Sequence, residues 1–154
     1  MRRPGPARPG LGAATGALAA LGAAAGLAGC GGPDVTRPRL ERAVTGAFAQ
    51  LYAQQQGLLG RRVAPAATRA AASCDRGGPA RADVGPGPDW ACTLVWDDAA
   101  GRPATAVYEV EVRADGCYRA TGPPSVVGQQ QLPLPGGSTA VNPVYAFDGC
   151  FRTS

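Results

Sequence analysis

The first 30 residues of this chain do not have the composition of a folded element, so the fold must be formed by the residues that follow them. Three arginines lie within the first eight residues, and residues 11–28 form an uncharged run rich in Ala, Gly and Leu. A basic start, an apolar middle and small residues before a cleavage point are typical of a secretory signal. The pattern predicts that residues 1–29 are removed and that the remaining chain folds outside the cytoplasm.

The run ends in the tetrapeptide Leu27-Ala28-Gly29-Cys30. It resembles the lipobox of bacterial lipoproteins, which implies that Cys30 is lipidated, becomes the new N-terminus and anchors the protein to the outer face of the cell membrane. An uncleaved anchor is the alternative, but residues 11–28 are near the minimum length for a membrane span and contain four Leu, so insertion would be weak. We expect a lipidated cysteine and tether over residues 30–37 and a single extracytoplasmic domain over residues 38–154.

Removal of the signal changes the charge balance. Beyond it, 12 Arg stand against 11 Asp and Glu, so the net charge is near +1 and nucleic acid is not an expected partner. The chain contains no His and no Lys. This excludes imidazole-dependent triads, His-ligated zinc, Schiff-base chemistry and a P-loop lysine. We predict no catalytic residue, no metal site and no cofactor.

Four further cysteines lie in the mature chain: Cys74, Cys92, Cys117 and Cys150. An even number in a small exported domain predicts two disulfides. Three pairings are formally available, and the sequential pairs Cys74–Cys92 and Cys117–Cys150 are favoured because they close the shorter loops. A four-cysteine zinc site is the alternative, but its ligands usually come in Cys-x-x-Cys pairs, which this chain lacks.

Residues 38–57 predict one amphipathic helix. Apolar residues recur there at steps of three and four, which places them on one face: Leu40, Val44, Phe48, Leu51 and, as a further candidate, Tyr52. Pro38 suits the first turn, and Gly57 or Gly60 suits the end. The 29 residues that follow, 60–88, are expected to form an irregular connection.

The hydrophobic period then changes to two, which predicts strands. One face of the first strand carries Trp90, Cys92, Leu94 and Trp96, and one face of the second carries Ala106, Tyr108, Val110 and Val112. Asp115-Gly116 predicts a tight turn into a third strand over residues 117–121. Residues 144–151 are predicted to form the last strand. Between them, residues 122–143 form a long loop that is functional or mobile.

These elements predict an α+β fold. One N-terminal amphipathic helix packs on a small antiparallel sheet of about four strands, stapled by two disulfides. The order of parts resembles the small cystatin-like domains of unknown function in actinobacterial lipoproteins and membrane proteins. The residues that carry the resemblance are Cys74, Trp90-Ala91-Cys92-Thr93-Leu94, Gly101, Tyr108-Glu109-Val110-Glu111-Val112 and Asp115-Gly116. It implies a Cys74–Cys92 pair and a helix-wrapped sheet, and it brings no catalytic residue.

Five aromatic residues form the candidate binding surface: Trp90, Trp96, Tyr145, Phe147 and Phe151. The two tryptophans share a strand face, where they either line a cleft or pack on the helix as core, and core packing is the preferred interpretation. The other three share one parity on the last strand, opposite to Cys150. They form an exposed stripe if that cysteine faces inward, and they are core if they face inward themselves.

Carboxylates offer a weaker site hypothesis. Asp97-Asp98 could share a proton or bind a cation, but Asp before a glycine turn is ordinary turn chemistry. Glu109 and Glu111 lie two apart on one strand face with Arg113 beyond them, which favours a solvated charged face.

The function predicted from the sequence is that of a non-enzymatic lipoprotein domain that binds a protein or ligand as an accessory or sensor in the cell envelope. Its partners are the membrane, through Cys30, and an envelope protein. The alternatives are an envelope hydrolase that uses carboxylates and a carrier of a lipid or other hydrophobic ligand, whose cavity Trp90, Trp96 and Tyr108 would line. The oligomeric state is not predicted.

Overall fold

The structure, a computed structural model, describes residue 5 and residues 35–153. The predicted signal, the tetrapeptide and Cys30 lie outside the described residues. Val35, the first residue of the described range 35–153, is 1% exposed, and Thr36 forms a β-bridge with Val84. The domain therefore includes residue 35, which was predicted to belong to the tether, because the Val35 side chain is part of the core.

Helix α1 runs over Arg37–Leu58, which confirms the predicted helix, with a proline in its first turn. Its buried face contains the apolar residues Leu40, Val44, Phe48 and Tyr52, whereas Leu51 is partly buried. The same face continues into Gln55 and Gln56, which are 6% and 4% exposed. The buried stripe of α1 is therefore apolar as far as Tyr52 and ends in two buried side-chain amides.

The strands are β1 (Ala71–Asp75), β2 (Gly87–Asp97), β3 (Pro103–Val112), β4 (Cys117–Thr121), β5 (Gln131–Pro133), β6 (Thr139–Val141) and β7 (Ala146–Cys150). Five of them form an antiparallel sheet in the order β1-β2-β3-β4-β7, and β5 and β6 form a separate two-stranded ribbon. A 3-10 turn lies at Pro65–Thr68, and a short helix, α2, lies at Pro124–Val127. The α+β fold class is confirmed.

The fifth strand of the sheet, β1, lies in the predicted irregular connection. Its Ala-rich sequence has little intrinsic β-propensity, so its partners must hold it in place. Its register sets Cys74 opposite Cys92, and side chains of helix α1 contact its free edge. The backbone N–H of Ala72 donates to Thr45 Oγ1, and that of Cys74 donates to Glu41 Oε1, both at 3.0 Å. These contacts pair the donors that an edge strand otherwise exposes.

One face of the sheet forms the core against α1. The predicted inward residues of β2 and β3 are all buried, which confirms the period-two assignment. The Phe48 ring lies 4.8 Å from the Trp96 ring and 6.0 Å from the Tyr108 ring, centroid to centroid. Within the described residues, no helix is both long and apolar enough to cross a bilayer.

Both predicted disulfides are present, Cys74–Cys92 and Cys117–Cys150. Each joins residues that lie directly opposite each other on neighbouring antiparallel strands. The first is fully buried under α1. The second lies on the outer face of the sheet, with Cys150 exposed.

Candidate ligand cleft

A cleft of about 360 Å³ opens between the C-terminal half of α1, one end of the sheet and the 122–143 segment. We call it the Gln56 cleft. One side is aromatic and consists of Phe48, Tyr52 and Trp96, and the facing segment contributes Val126, Val127 and Leu132. The volume lies within the range of small-molecule sites, about 300–1,000 Å³.

The 122–143 segment forms its wall because a chain of side-chain amides fastens it to α1. Asn142, which is fully buried, donates through Nδ2 to the carbonyl oxygens of Val127 and Gln129, at 2.9 and 3.0 Å. Gln55 Nε2 donates to Asn142 Oδ1 at 2.9 Å and to the Val127 carbonyl at 3.2 Å. Gln56 Nε2 donates to Gln55 Oε1 at 3.0 Å. The predicted long loop is therefore docked on the helix through these three residues, which we call the amide chain.

The amide chain has a fixed direction. Backbone carbonyls only accept hydrogen bonds, so Asn142 and Gln55 must turn their NH₂ groups toward the 122–143 segment. Gln55 then presents its oxygen to Gln56, which donates to it. The chain ends at Gln56 Oε1, which is buried and has no hydrogen-bond partner among the described residues.

A second residue of the cleft also has a buried polar atom without a partner. Trp96 is 6% exposed, and its Nε1–H finds no acceptor within the part of the chain that the structure describes. The other tryptophan differs, since Trp90 Nε1 donates to the Gly85 carbonyl at 3.1 Å. Buried donors and acceptors are nearly always paired in folded proteins, so these two atoms are exceptions within the part of the chain that the structure describes.

Two charged residues, Arg61 and Asp98, line the cleft. Asp98 accepts hydrogen bonds from the backbone N–H groups of Ala100 and Arg102, at 2.8 and 2.9 Å, and from Arg102 Nε at 3.0 Å. The backbone N–H and the guanidinium of Arg102 lower the pKa of this carboxyl below its usual value. Arg61 is exposed. Tyr52 reaches the same turn, where its hydroxyl oxygen accepts from Ala99 N–H at 3.1 Å.

The structure separates the five aromatic residues predicted as a binding surface. Trp96 lines the Gln56 cleft. Trp90 and Phe147, at 2% and 5% exposure, belong to the core, so they form no surface. Tyr145 and Phe151 are half-buried, and the Phe151 ring stacks on that of Tyr118. Cys150 points outward, which turns Phe147 inward, so of the two interpretations left open by the sequence the core one holds for Phe147.

The sequence predicted that Trp90, Trp96 and Tyr108 would line any cavity between helix and sheet. Of these three residues, Trp96 lines the Gln56 cleft. Trp90 instead lies under the Arg76 guanidinium, 5.6 Å from its carbon to the ring centroid. Tyr108 is fully buried, and its hydroxyl donates to the Val144 carbonyl at 2.7 Å. Both side chains therefore have contacts of their own, and neither lines the cleft.

The carboxylates singled out in the sequence do not converge. Asp98 organises its own turn, and Asp97 forms an ion pair with Arg69. Glu109 and Glu111 are exposed on the outer face of the sheet. A proton-sharing pair requires a carboxyl with a raised pKa, whereas the pKa of Asp98 is lowered.

The buried glutamines were missed because Gln is normally a surface residue. A signal was nevertheless present: Gln56 continues the exact four-residue step of the buried stripe after Leu40, Val44, Phe48 and Tyr52. A polar residue on an apolar stripe is either exposed at the end of a helix or held by a partner. The partner here, Asn142, lies in a segment that the sequence pattern left unassigned.

No protein-family model matches this chain, and neither a curated protein nor a solved structure matches it. The resemblance to bacterial lipoproteins and to cystatin-like domains therefore stays a prediction.

Proposed function

We propose that this protein is an exported, lipid-anchored and non-enzymatic domain that binds a small ligand in the Gln56 cleft, as a sensor or accessory component of the cell envelope. The observation that carries the proposal is the cleft itself, which has a volume of about 360 Å³ and is lined by the aromatic side chains of Phe48, Tyr52 and Trp96.

The anchor rests on the tetrapeptide that ends at Cys30. This cysteine precedes the buried Val35 by five residues, and five extended residues span at most about 18 Å. A lipid on Cys30 would hold the start of α1 near the bilayer. About 30 Å of helix separates that start from Gln56.

Ligand binding is tested on the full-length protein, produced in a bacterial host and embedded in lipid nanodiscs. Ligand-observed NMR is used to screen a library of neutral fragments, with empty nanodiscs as reference. Val126 lines the cleft and is 49% exposed, so Val126→Trp should block the cleft without disturbing the core. Val141, 65% exposed and outside the cleft, gives the matched control Val141→Trp.

We expect hits that bind the parent protein and Val141→Trp, and that are lost in Val126→Trp. Equal binding to both variants would contradict the assignment of the cleft. Anchoring is tested separately by metabolic labelling with a fatty-acid analogue. We expect label in the parent protein and none in Cys30→Ser, and an unlabelled parent protein would refute the anchor while leaving the binding result intact.

A further inference from the structure

Most arginines within residues 35–153 are neutralised by a carboxylate. Those that form an ion pair with an Asp or a Glu are Arg37, Arg69, Arg76, Arg81, Arg102, Arg113 and Arg119. Arg42 and Arg152 differ, because neither pairs with a carboxylate of the described chain and both are exposed. These two residues carry uncompensated positive charge at the surface.

Arg42 and Arg152 lie on one surface because β7 contacts α1. A hollow of about 440 Å³ opens there, and the residues that line it are Arg39, Arg42, Ala43, Cys150, Phe151 and Arg152. Half of these lining residues are arginines, and none of them is a carboxylate. We call Arg39, Arg42 and Arg152 the arginine patch.

The carboxylates on the two elements that form the patch are engaged elsewhere. Glu41, in α1, pairs with Arg37 at 2.8 Å and accepts the backbone N–H of Cys74 at 3.0 Å. Asp148, in β7, pairs with Arg119 at 3.4 Å. Arg42 and Arg152 thus lack a counter-charge within the part of the chain that the structure describes.

The exposure of the patch favours an extended anionic surface over a single bound anion. A site for one small ligand encloses most of that ligand, whereas Arg42 and Arg152 extend into solvent. At an anionic lipid surface, each exposed arginine adds a modest attraction, and its guanidinium can pair with a phosphate through two N–H groups. Half-buried Phe151 adds apolar surface beside the arginines, which suits the boundary between headgroups and acyl chains.

The position of the patch matches the proposed anchor. Arg39 and Arg42 lie in the first two turns of α1, which begins at Arg37, seven residues after Cys30. A lipid on Cys30 would keep this part of the chain close to the bilayer. A contact with the headgroups would then be effectively intramolecular, so a weak attraction is sufficient.

We infer that the arginine patch binds the phosphate headgroups of anionic phospholipids and thereby orients the domain on the membrane. This inference rests on the proposed function, since the anchor brings the patch to the bilayer. It assigns the surface formed by the start of α1 and the end of β7 as the one that faces the membrane.

The test measures how strongly a bilayer protects each arginine from phenylglyoxal, a neutral reagent that modifies accessible guanidinium groups. The full-length protein from a bacterial host is embedded in nanodiscs of phosphatidylcholine, with or without added phosphatidylglycerol, and peptide mass spectrometry gives the modification rates. We expect phosphatidylglycerol to lower the rates at Arg42 and Arg152 at least about fivefold, and the rate at Arg62 less than about twofold. Sodium chloride at about 1 M should abolish the difference, since salt screens exposed charges.

A variant shows whether the arginines act on one surface. In Arg42→Gln, the protection of Arg152 by phosphatidylglycerol should weaken at least about twofold, because the patch loses one of its charges. Arg62→Gln, beyond the other end of α1, is the matched control and should leave the protection of Arg152 unchanged. Both positions are exposed, so the substitutions should leave the fold intact.

Soluble glycerol phosphate distinguishes a free anion from a membrane surface. It is added at millimolar concentration to the protein in nanodiscs of phosphatidylcholine alone. We expect it to protect neither Arg42 nor Arg152.

The outcomes separate this inference from the proposed anchor. Equal rates in both lipid compositions would overturn the inference, whether or not Cys30 carries the fatty-acid label. Protection of Arg62 in place of Arg42 and Arg152 would also overturn it, because the opposite end of α1 would then face the bilayer. Equal protection by glycerol phosphate would replace the membrane with a soluble phosphate. Protection in a protein whose Cys30 is unlabelled would support the arginine patch and refute only the anchor.

Discussion

Gln55 donates a hydrogen bond to Asn142 Oδ1 over 2.9 Å, although 87 residues separate the two along the chain. This contact joins α1 to the 122–143 segment, and both side chains are buried. Asn142 also holds the segment itself, through the carbonyl oxygens of Val127 and Gln129. One side chain thus shapes a wall of the cleft and fixes the direction of the amide chain that ends at Gln56.

The first prediction concerns Asn142→Leu. The variant removes two donor contacts to backbone carbonyls and leaves the Gln55 amide without an acceptor for one of its hydrogens. We expect the free energy of unfolding to fall by about 3 kcal/mol, measured by urea denaturation. Amide hydrogen exchange should accelerate in residues 126–130 more than in the sheet.

Gln54→Leu, at an exposed position of α1, is the matched control and should stay within about 0.5 kcal/mol of the parent protein. Unchanged unfolding and exchange in Asn142→Leu would show that the amide chain does not hold the segment.

The parts of the fold that the sequence predicts are those whose apolar pattern is local. The buried faces of α1, β2 and β3 follow directly from steps of four or two residues. Strand β1 was not predicted because its Ala-rich sequence shows no alternation of apolar and polar residues. Its position depends on Cys92 and on two helix side chains, Glu41 and Thr45, which lie far from it in the sequence.

The candidate site was harder to predict than the fold for a related reason. Trp96 was singled out, since aromatic residues are conspicuous, but its role depended on whether its N–H found an acceptor. Gln56 could be identified as a residue of the cleft only from the structure, in which Gln56 donates to Gln55 and Gln55 donates to Asn142. Burial of a polar residue depends on its partners, and here the decisive partner comes from a segment without hydrophobic periodicity.

The second prediction concerns Gly122, which packs directly against the Tyr108 ring. A Cβ at residue 122 would lie 2.6 Å from Tyr108 Cζ and 2.7 Å from Cε1. The ring cannot move away easily, because Tyr108 is fully buried and its hydroxyl is bonded to the Val144 carbonyl. We expect Gly122→Ala to lower the free energy of unfolding by about 1–3 kcal/mol, measured by urea denaturation.

Gly46 provides the opposite case within the same protein. It lies inside α1, and a Cβ there would meet no atom within 4 Å. Gly46→Ala should raise the free energy of unfolding by about 0.5–1 kcal/mol, since Ala loses less conformational entropy in a helix. Equal effects of the two substitutions would contradict the packing of Gly122 on Tyr108.

The third prediction is an alkaline limit to stability. Burial raises the pKa of Tyr118 to about 12, from an ordinary value of 10.0, and it raises the pKa of Tyr108 as well. Because the folded state disfavours the phenolate, this contribution to stability is complete below pH 10 and is lost as the pH rises from 10 through 12. We expect a cooperative loss of near-ultraviolet circular dichroism in that window, together with phenolate absorbance at 295 nm.

Tyr118→Phe removes one of these ionisations, so its alkaline transition should move to higher pH. Tyr145→Phe, at a half-exposed position, measures the general effect of deleting a hydroxyl. Identical transitions in Tyr118→Phe and the parent protein would refute a role for Tyr118 in the alkaline transition.

The fourth prediction follows from the different positions of the two disulfides. Thiol–disulfide exchange requires that the attacking thiolate reach a sulfur, so access controls its rate. Cys74–Cys92 is fully buried beneath α1, whereas Cys150 of the other bridge is exposed on the outer face of the sheet. Brief treatment of the native protein with dithiothreitol, followed by iodoacetamide and peptide mass spectrometry, should label Cys117 and Cys150 and leave Cys74 and Cys92 unlabelled.

The singly reduced protein should remain folded but less stable. Loss of the Cys117–Cys150 bridge, which joins residues 33 apart, costs about 3–4 kcal/mol on the loop-entropy model. The core is not opened, because the bridge lies on the outer face and the backbone pairing of β4 with β7 stays in place. In urea, all four cysteines should be labelled at similar rates, which serves as the control. Equal labelling of both pairs under native conditions would show that burial does not protect Cys74–Cys92.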